Sequence, residues 1–202
     1  MTDRYDELMS GLYRGVAPDW VPPAGRALFL RESMRRRAAL GQTLTASWRC
    51  TMFYARSLFS DDFPLEVFDR WPARTTAAAN VVTGLYLALG DALRARRCEP
   101  ALRELFQYES LGLNDLLCAL DAPRVPAAQV PAGVDPEECF AFATDVQSFH
   151  THMVIAAGGH GPASFARGYQ VRAQPTCIAR ERVQGRWALV DVTDAVLEAE
   201  AA

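Results

Sequence analysis

Asp121-Ala-Pro-Arg-Val-Pro-Ala-Ala-Gln-Val-Pro-Ala-Gly-Val-Asp-Pro136 divides this chain in two. Its prolines lack an amide donor and push the residues before them out of helical backbone, so no long helix crosses it. Before it, apolar residues recur at helical spacing. After it, strand signals lead to Val183-Gln184-Gly185, a short glycine-containing loop of the kind that closes hairpins. The layout predicts an α+β fold: an N-terminal irregular helical bundle, then a small C-terminal antiparallel β-sheet with a terminal helix. The expected division is a helical domain over 1–122, a proline-rich linker over 123–136 and a small α+β domain over 137–202.

Working outward, Tyr5, Leu8, Met9, Leu12 and Tyr13 form one apolar face of a short helix. A second helix is expected from Ala24 to Leu40, stopped at Gly41, and a third from Thr43 or Thr45 to about Phe59. Pro64 opens a short fourth, where its missing N–H costs nothing. Thr75 or Thr76 is the expected cap of a helix reaching Arg97, and Glu99-Pro100 starts a leucine-rich one reaching toward Leu120. Beyond the proline stretch, Asp135-Pro136 signals a helix start, and Phe149 to Ala156 suits a strand at least as well as a helix. Tyr169 to Ala173 is expected to be extended. Thr176–Arg182 and Arg186–Val192 flank the hairpin loop, and a last helix is expected over Asp194–Glu200, packed through Val196 and Leu197.

The chain has 202 residues, half of them hydrophobic and 22% charged, which is ordinary for a soluble globular protein. No apolar run approaches the ~20 residues that span a bilayer, and Met1-Thr-Asp-Arg-Tyr-Asp-Glu7 lacks the apolar core of a signal peptide. A cytoplasmic, bacterial-type setting without membrane contact is the expectation. All 21 basic residues are arginine, and the formal net charge of −3 argues against a nucleic-acid partner, which needs excess basic charge. Arg31 and Arg35-Arg36-Arg37 read as a solvated helix surface, with a site for an acidic partner as the sharper alternative. Cys50, Cys98, Cys118, Cys139 and Cys177 are odd in number and widely spaced, so they make neither a disulfide framework nor a zinc ribbon.

The search for chemistry is mostly negative. His150-Thr-His152 on a strand would turn two imidazoles to one side, with His160 nearby in sequence, which makes these histidines weak metal candidates. The block before the proline stretch contains no histidine, so the Glu-x-x-His pairs of a di-iron bundle are absent. Gly158-Gly-His-Gly161 has no lysine and serine or threonine of a phosphate loop. No Gly-x-Ser-x-Gly elbow is present. Catalytic residues are therefore expected to be none.

The order of several segments resembles the HvfC-like (DUF2063) family, in particular its relative, the C-type partner subunit of the methanobactin-core oxidase complex. The segments are Arg49 through Tyr54, Leu58-Phe-Ser-Asp-Asp-Phe-Pro64, and Leu102-Arg-Glu-Leu-Phe-Gln-Tyr-Glu109. Gln174-Pro-Thr-Cys-Ile-Ala-Arg-Glu-Arg182, followed by Trp187-Ala-Leu-Val-Asp-Val192, is similar to the family's terminal hairpin. The short histidine-bearing segment 149–160 departs from the broader pattern.

The resemblance implies a non-catalytic subunit of a heterodimer with a DUF692-type TIM-barrel iron oxidase. Such a subunit helps present a ribosomally made precursor peptide, whose cysteines become oxazolone and thioamide groups. It implies no cofactor in this chain, the iron residing in the partner. The mechanism expected is strand addition, in which a disordered leader peptide pairs with an exposed edge of the C-terminal sheet. The expected contacts are Tyr169, Val171 and Arg172 on one edge, and Ile178, Arg180, Arg182 and Trp187 on the hairpin. The rivals are a winged-helix-like nucleic-acid-binding regulator and a stand-alone metalloenzyme using His150, His152 and His160.

Overall fold

The computed structural model describes residues 2–72, 80–160 and 168–201, and the side chains within 4–72, 80–158 and 168–200. Thr75 and Thr76, expected as a helix cap, lie outside them. The fold is α+β, as the change of period predicts. The chain forms two compact units, Met1–Cys98 with Asp115–Cys118, and Glu99–Asn114 with Ala119–Ala202.

The first unit is helical. Its elements are α1 (Thr2–Arg14), α2 (Pro23–Ser47), α3 (Arg49–Leu58), α4 (Phe63–Asp69) and α5 (Val81–Ala95). The helix expected to stop at Gly41 runs on to Ser47. One glycine costs a helix about 1 kcal/mol, and the buried side chains of Leu40, Leu44 and Trp48 on either side of it outweigh that. The break falls at Trp48, whose backbone leaves the helical region (φ −130°, ψ 56°) while its indole is fully buried. Asn80 caps α5, its side chain accepting from the amide of Thr83 at 2.8 Å. α5 is buried nearly all round, through Thr83, Gly84, Leu85, Tyr86, Ala88, Leu89, Ala92 and Leu93. Asp115–Cys118 belongs here because the hydroxyl of Thr83 accepts from the amide of Leu117 at 3.0 Å.

The second unit holds α6 (Pro100–Leu111), β1 (Cys139–Phe142), α7 (Val146–Ile155), β2 (Thr176–Val183), β3 (Arg186–Asp191) and α8 (Thr193–Ala201). The expected boundary at 122/123 is therefore displaced: α6 belongs with the sheet. α6 also ends at Leu111, with Gly112 as its C-cap, well short of Leu120. Asp135-Pro136 opens only a short 3₁₀ turn, Pro136–Glu138, and then strand β1. Phe149–Ala156 is not a strand. Through Ile155 it lies in α7, Ala156 opening a π-helical turn, and Asp145 caps α7 by accepting from the amide of Ser148 at 3.1 Å. Val146, Phe149 and Met153, spaced three and four apart, form its buried face.

The strands pair antiparallel in the order β1-β2-β3. Cys139 lies opposite Ala179, and Ile178 opposite Asp191. The hairpin expected at Val183–Gly185 closes through Gln184 and Gly185 alone, Val183 ending β2; both turn residues are at positive φ (51° and 79°), which matches a two-residue turn to strand twist. One sheet face packs Phe140, Phe142 and Ile178 with Leu111, Ala122 and Val146. The other packs Cys139 and Cys177 with Val125 and with Val196 of α8. Leu197, expected to pack beside Val196, is exposed instead.

The proline stretch is no free linker. Val125 is buried in the second of these clusters, and Val130 and Val134 pack against it. Its start also runs along β1: the amide of Val125 donates to the carbonyl of Cys139 at 3.0 Å, and that of Ala141 to the carbonyl of Pro123 at 2.8 Å. Proline is tolerated here because only carbonyls and the intervening amides are needed at an edge.

Candidate functional site

The two edges of the sheet are unlike. β1 is closed by residues 123–125, which bridge to it through Arg124 and Phe140. β3 is the other edge. The amide of Val192 donates to the carbonyl of Cys177 at 2.9 Å, so in antiparallel alternation the even-numbered residues of β3 bond to β2. Trp187, Leu189 and Asp191 then turn their amides and carbonyls outward. Among the described residues nothing pairs with that side.

The indole of Trp187 lies beside this edge, stacked against two guanidinium groups. Arg180 stands 3.9 Å from its centroid and Arg182 4.5 Å. Both arginines lie on the same face of β2, two residues apart, and Trp187 is opposite Arg182. Arg182 also donates to the carbonyl of Gly185 at 2.9 Å, which ties it to the turn. Arg180 is held from beneath by a forked pair with Glu138, at 2.6 and 3.0 Å. Its charge is thus already matched within the unit, and it acts as the floor of the stack. On the opposite face, Val183 and Val190 are exposed.

Of the anticipated contacts, Trp187, Arg180 and Arg182 lie together on the hairpin beside the open edge, whereas Ile178, Tyr169, Val171 and Arg172 are placed elsewhere. Ile178 is fully buried in the core and cannot meet a ligand. Tyr169, Val171 and Arg172 form no strand edge. The ring of Tyr169 instead stacks on His152 at 4.0 Å and on Phe149 at 5.7 Å, and the carbonyl of Arg172 accepts from the amide of Asp145 at 3.0 Å. Aromatic stacking on α7 and a bond to its capping residue hold this segment against the helix. The pairing of Glu138 with Arg180 and the place of Leu189 on the open edge were not legible by pattern. A glutamate just before a strand has no distinctive spacing, and its partner lies 42 residues on.

The histidine pair fails as a chelate for a geometric reason. Two residues apart on a helix, His150 and His152 point about 200° apart around the axis, whereas on a strand they would share a side. His152 lies on Tyr169, and His150 lies against α6, 5.1 Å from the ring of Tyr108 and 3.9 Å from a Glu109 carboxylate oxygen. The side chain of His160 lies outside the described ones. Burial pushes the pKa of His150 below its ordinary value, with Glu109 acting in the opposite direction. A histidine whose folded pKa is depressed contributes stability above its unfolded pKa, about 6.5, and loses it as pH falls through the folded value. Replacing His150 with Gln is expected to lessen the loss of stability between pH about 7 and 5. Urea midpoints at the two pH values measure this, and an unchanged pH slope would refute it.

All five cysteines are free thiols. Burial pushes Cys118, Cys139 and Cys177 up, which keeps them protonated and weakly nucleophilic. Among the described residues no helix is long and apolar enough to cross a membrane. No protein-family model matches this chain, and no curated protein or solved structure matches it either.

Proposed function

We propose that the chain is a non-catalytic, cytoplasmic partner subunit of a DUF692-type multinuclear iron oxidase. Its second unit holds a ribosomally made precursor peptide by strand addition along β3. The observation that carries this reading is the asymmetry of the sheet: one edge is closed by the chain itself, and the other is open beside a cation–π stack. An extended peptide gains main-chain hydrogen bonds to Trp187, Leu189 and Asp191, each worth about 1 kcal/mol net. Its alternate side chains would lie over Trp187 and Arg182 on one face and over Val183 and Val190 on the other. The oxidation of the peptide's cysteines, with iron and dioxygen, belongs to the partner enzyme.

Amide hydrogen exchange tests the docking mode. In the free chain the amides of Trp187, Leu189 and Asp191 are expected to exchange fast, while those of Ala188 and Val190 are already protected by the ladder. Adding the precursor leader is expected to slow the outward set by about tenfold or more and leave the inward set unchanged. Protection confined to another segment would sink strand addition on β3. Conversion of the peptide by the purified chain alone would sink the accessory role.

A further inference from the structure

α2 is apolar on two sides. Phe29, Ser33, Leu40 and Leu44 form its buried face. On a flank roughly a third of a turn round the axis from it, Ala27, Leu30, Met34 and Ala38 follow one another three or four residues apart, and all are exposed, Leu30 by 47% and Met34 by 68%. Large apolar side chains aligned on a helix and facing water suit an interaction surface. The charge that α2 itself carries is mostly positive, with Arg37 engaged by Asp69 of α4 at 3.4 Å. α2 carries Arg26, Arg31, Arg35, Arg36 and Arg37 against the single acid Glu32, a net of +4 (5 − 1) in a chain of net −3. Glu32 is itself engaged, bridging Arg35 at 2.9 Å and Arg36 at 2.8 Å, and those two bonds hold its carboxyl down to about 2. Arg31, beside the stripe, is exposed.

We propose that this outward stripe of α2 is the docking surface for an amphipathic helix of the oxidase, one whose apolar face is flanked by aspartate or glutamate. Charge complementarity selects this occupant. A second copy would set the same arginine-rich rim against itself. A lipid surface is poorly served by two large aliphatic side chains and no aromatic on the stripe. A helix with an acidic rim buries Leu30 and Met34 and meets the exposed Arg31 at the border, where like charges of another partner would be excluded. The inference rests on the accessory-subunit reading for the identity of the partner.

The test measures the affinity of the full chain for the oxidase by titration calorimetry at low and high salt. The variants are Leu30→Glu with Met34→Glu, Arg31→Glu alone, and Leu65→Glu on α4 as an exposed apolar control. Matching circular dichroism and melting midpoints establish that each variant is folded. The expected result is a loss of about tenfold or more for both α2 variants, no change for Leu65→Glu, and weaker binding of the unaltered chain at high salt. Unchanged affinity of the α2 variants overturns this inference and leaves the accessory reading standing. If the unaltered chain does not bind the oxidase, the accessory reading falls. The surface is then judged by a synthetic leucine- and glutamate-bearing amphipathic helix: binding that Leu30→Glu with Met34→Glu removes supports it, and no binding overturns it. Sedimentation with vesicles of phosphatidylcholine and phosphatidylglycerol, or self-association, that the same variant abolishes overturns it in favour of a membrane or a second copy.

Discussion

Gly84→Ala is expected to destabilise the helical unit by about 3 kcal/mol, against the sign that helix propensity alone predicts. Replacing a mid-helix glycine with alanine ordinarily stabilises a helix by about 1 kcal/mol. At Gly84 in α5, however, an added methyl would fall inside the indole of Trp71. Trp71 is buried and cannot step aside: Tyr13 lies 4.3 Å from its ring. The overlap must be relieved by moving a packed aromatic or the helix backbone, and interiors packed to crystal density resist both. Gly25→Ala on α2 is the control. There the new methyl would meet only a Val21 methyl at 3.7 Å, ordinary contact, so a neutral or stabilising effect is expected. Urea unfolding followed by circular dichroism measures both. A double change, Gly84→Ala with Trp71→Leu, is expected to recover at least about 1 kcal/mol of coupling. If Gly84→Ala matches Gly25→Ala, the close approach of α5 to Trp71 is wrong.

Arg180→Ala is expected to cost the second unit about 2–3 kcal/mol and to weaken peptide binding by about tenfold. The two effects have separate origins. Stability falls because Glu138 is left without the fork that holds it, in a pair whose side chains are only 13% and 24% exposed. A fully buried pair would cost more, and partial solvent access reduces the figure. Binding falls because Trp187 loses the guanidinium 3.9 Å from its ring and so becomes mobile at the edge a peptide would use. Arg180→Lys keeps the charge but has neither the planar fork nor the stacking surface, so little of either effect should be recovered. Fluorescence of Trp187 and calorimetric titration with the leader peptide give the two readouts. Full recovery by lysine would mean that charge alone matters, and the stacked arrangement would then carry no function.

Much of the fold was legible because it rests on short-range rules. The period change at Asp121–Pro136, the glycine-containing hairpin loop ending at Gly185 and the proline starts at Pro64 and Pro100 are all consequences of local backbone sterics. Local rules leave α7 undecided, because the residues between Val146 and Ile155 are as compatible with alternation as with helical period. The decision there came from Asp145 as a cap and from burial of Phe149 and Met153 on one side. The strand alternative produced the metal candidates, since His150 and His152 share a side only on a strand. The candidate site was half legible. Trp187 and Arg182 follow from their place in a hairpin, while the burial of Ile178 and the pairing of Arg180 with Glu138 depend on a strand 42 residues away.

The sequence by itself determined the class of the fold, the hairpin and its turn, and the absence of a local catalytic motif. Each of these is settled within a few residues, by the fixed φ of proline, the freedom of glycine and the spacing of apolar side chains. Tertiary structure alone decided which sheet edge stays open. The proline stretch reads as a spacer in one dimension, yet its valines must be buried, and they find cover under the sheet beside α8. Burying them lays Pro123 and Val125 along β1, closes that edge and leaves β3 as the free one. That outcome is a property of packing between distant segments, which no local pattern encodes.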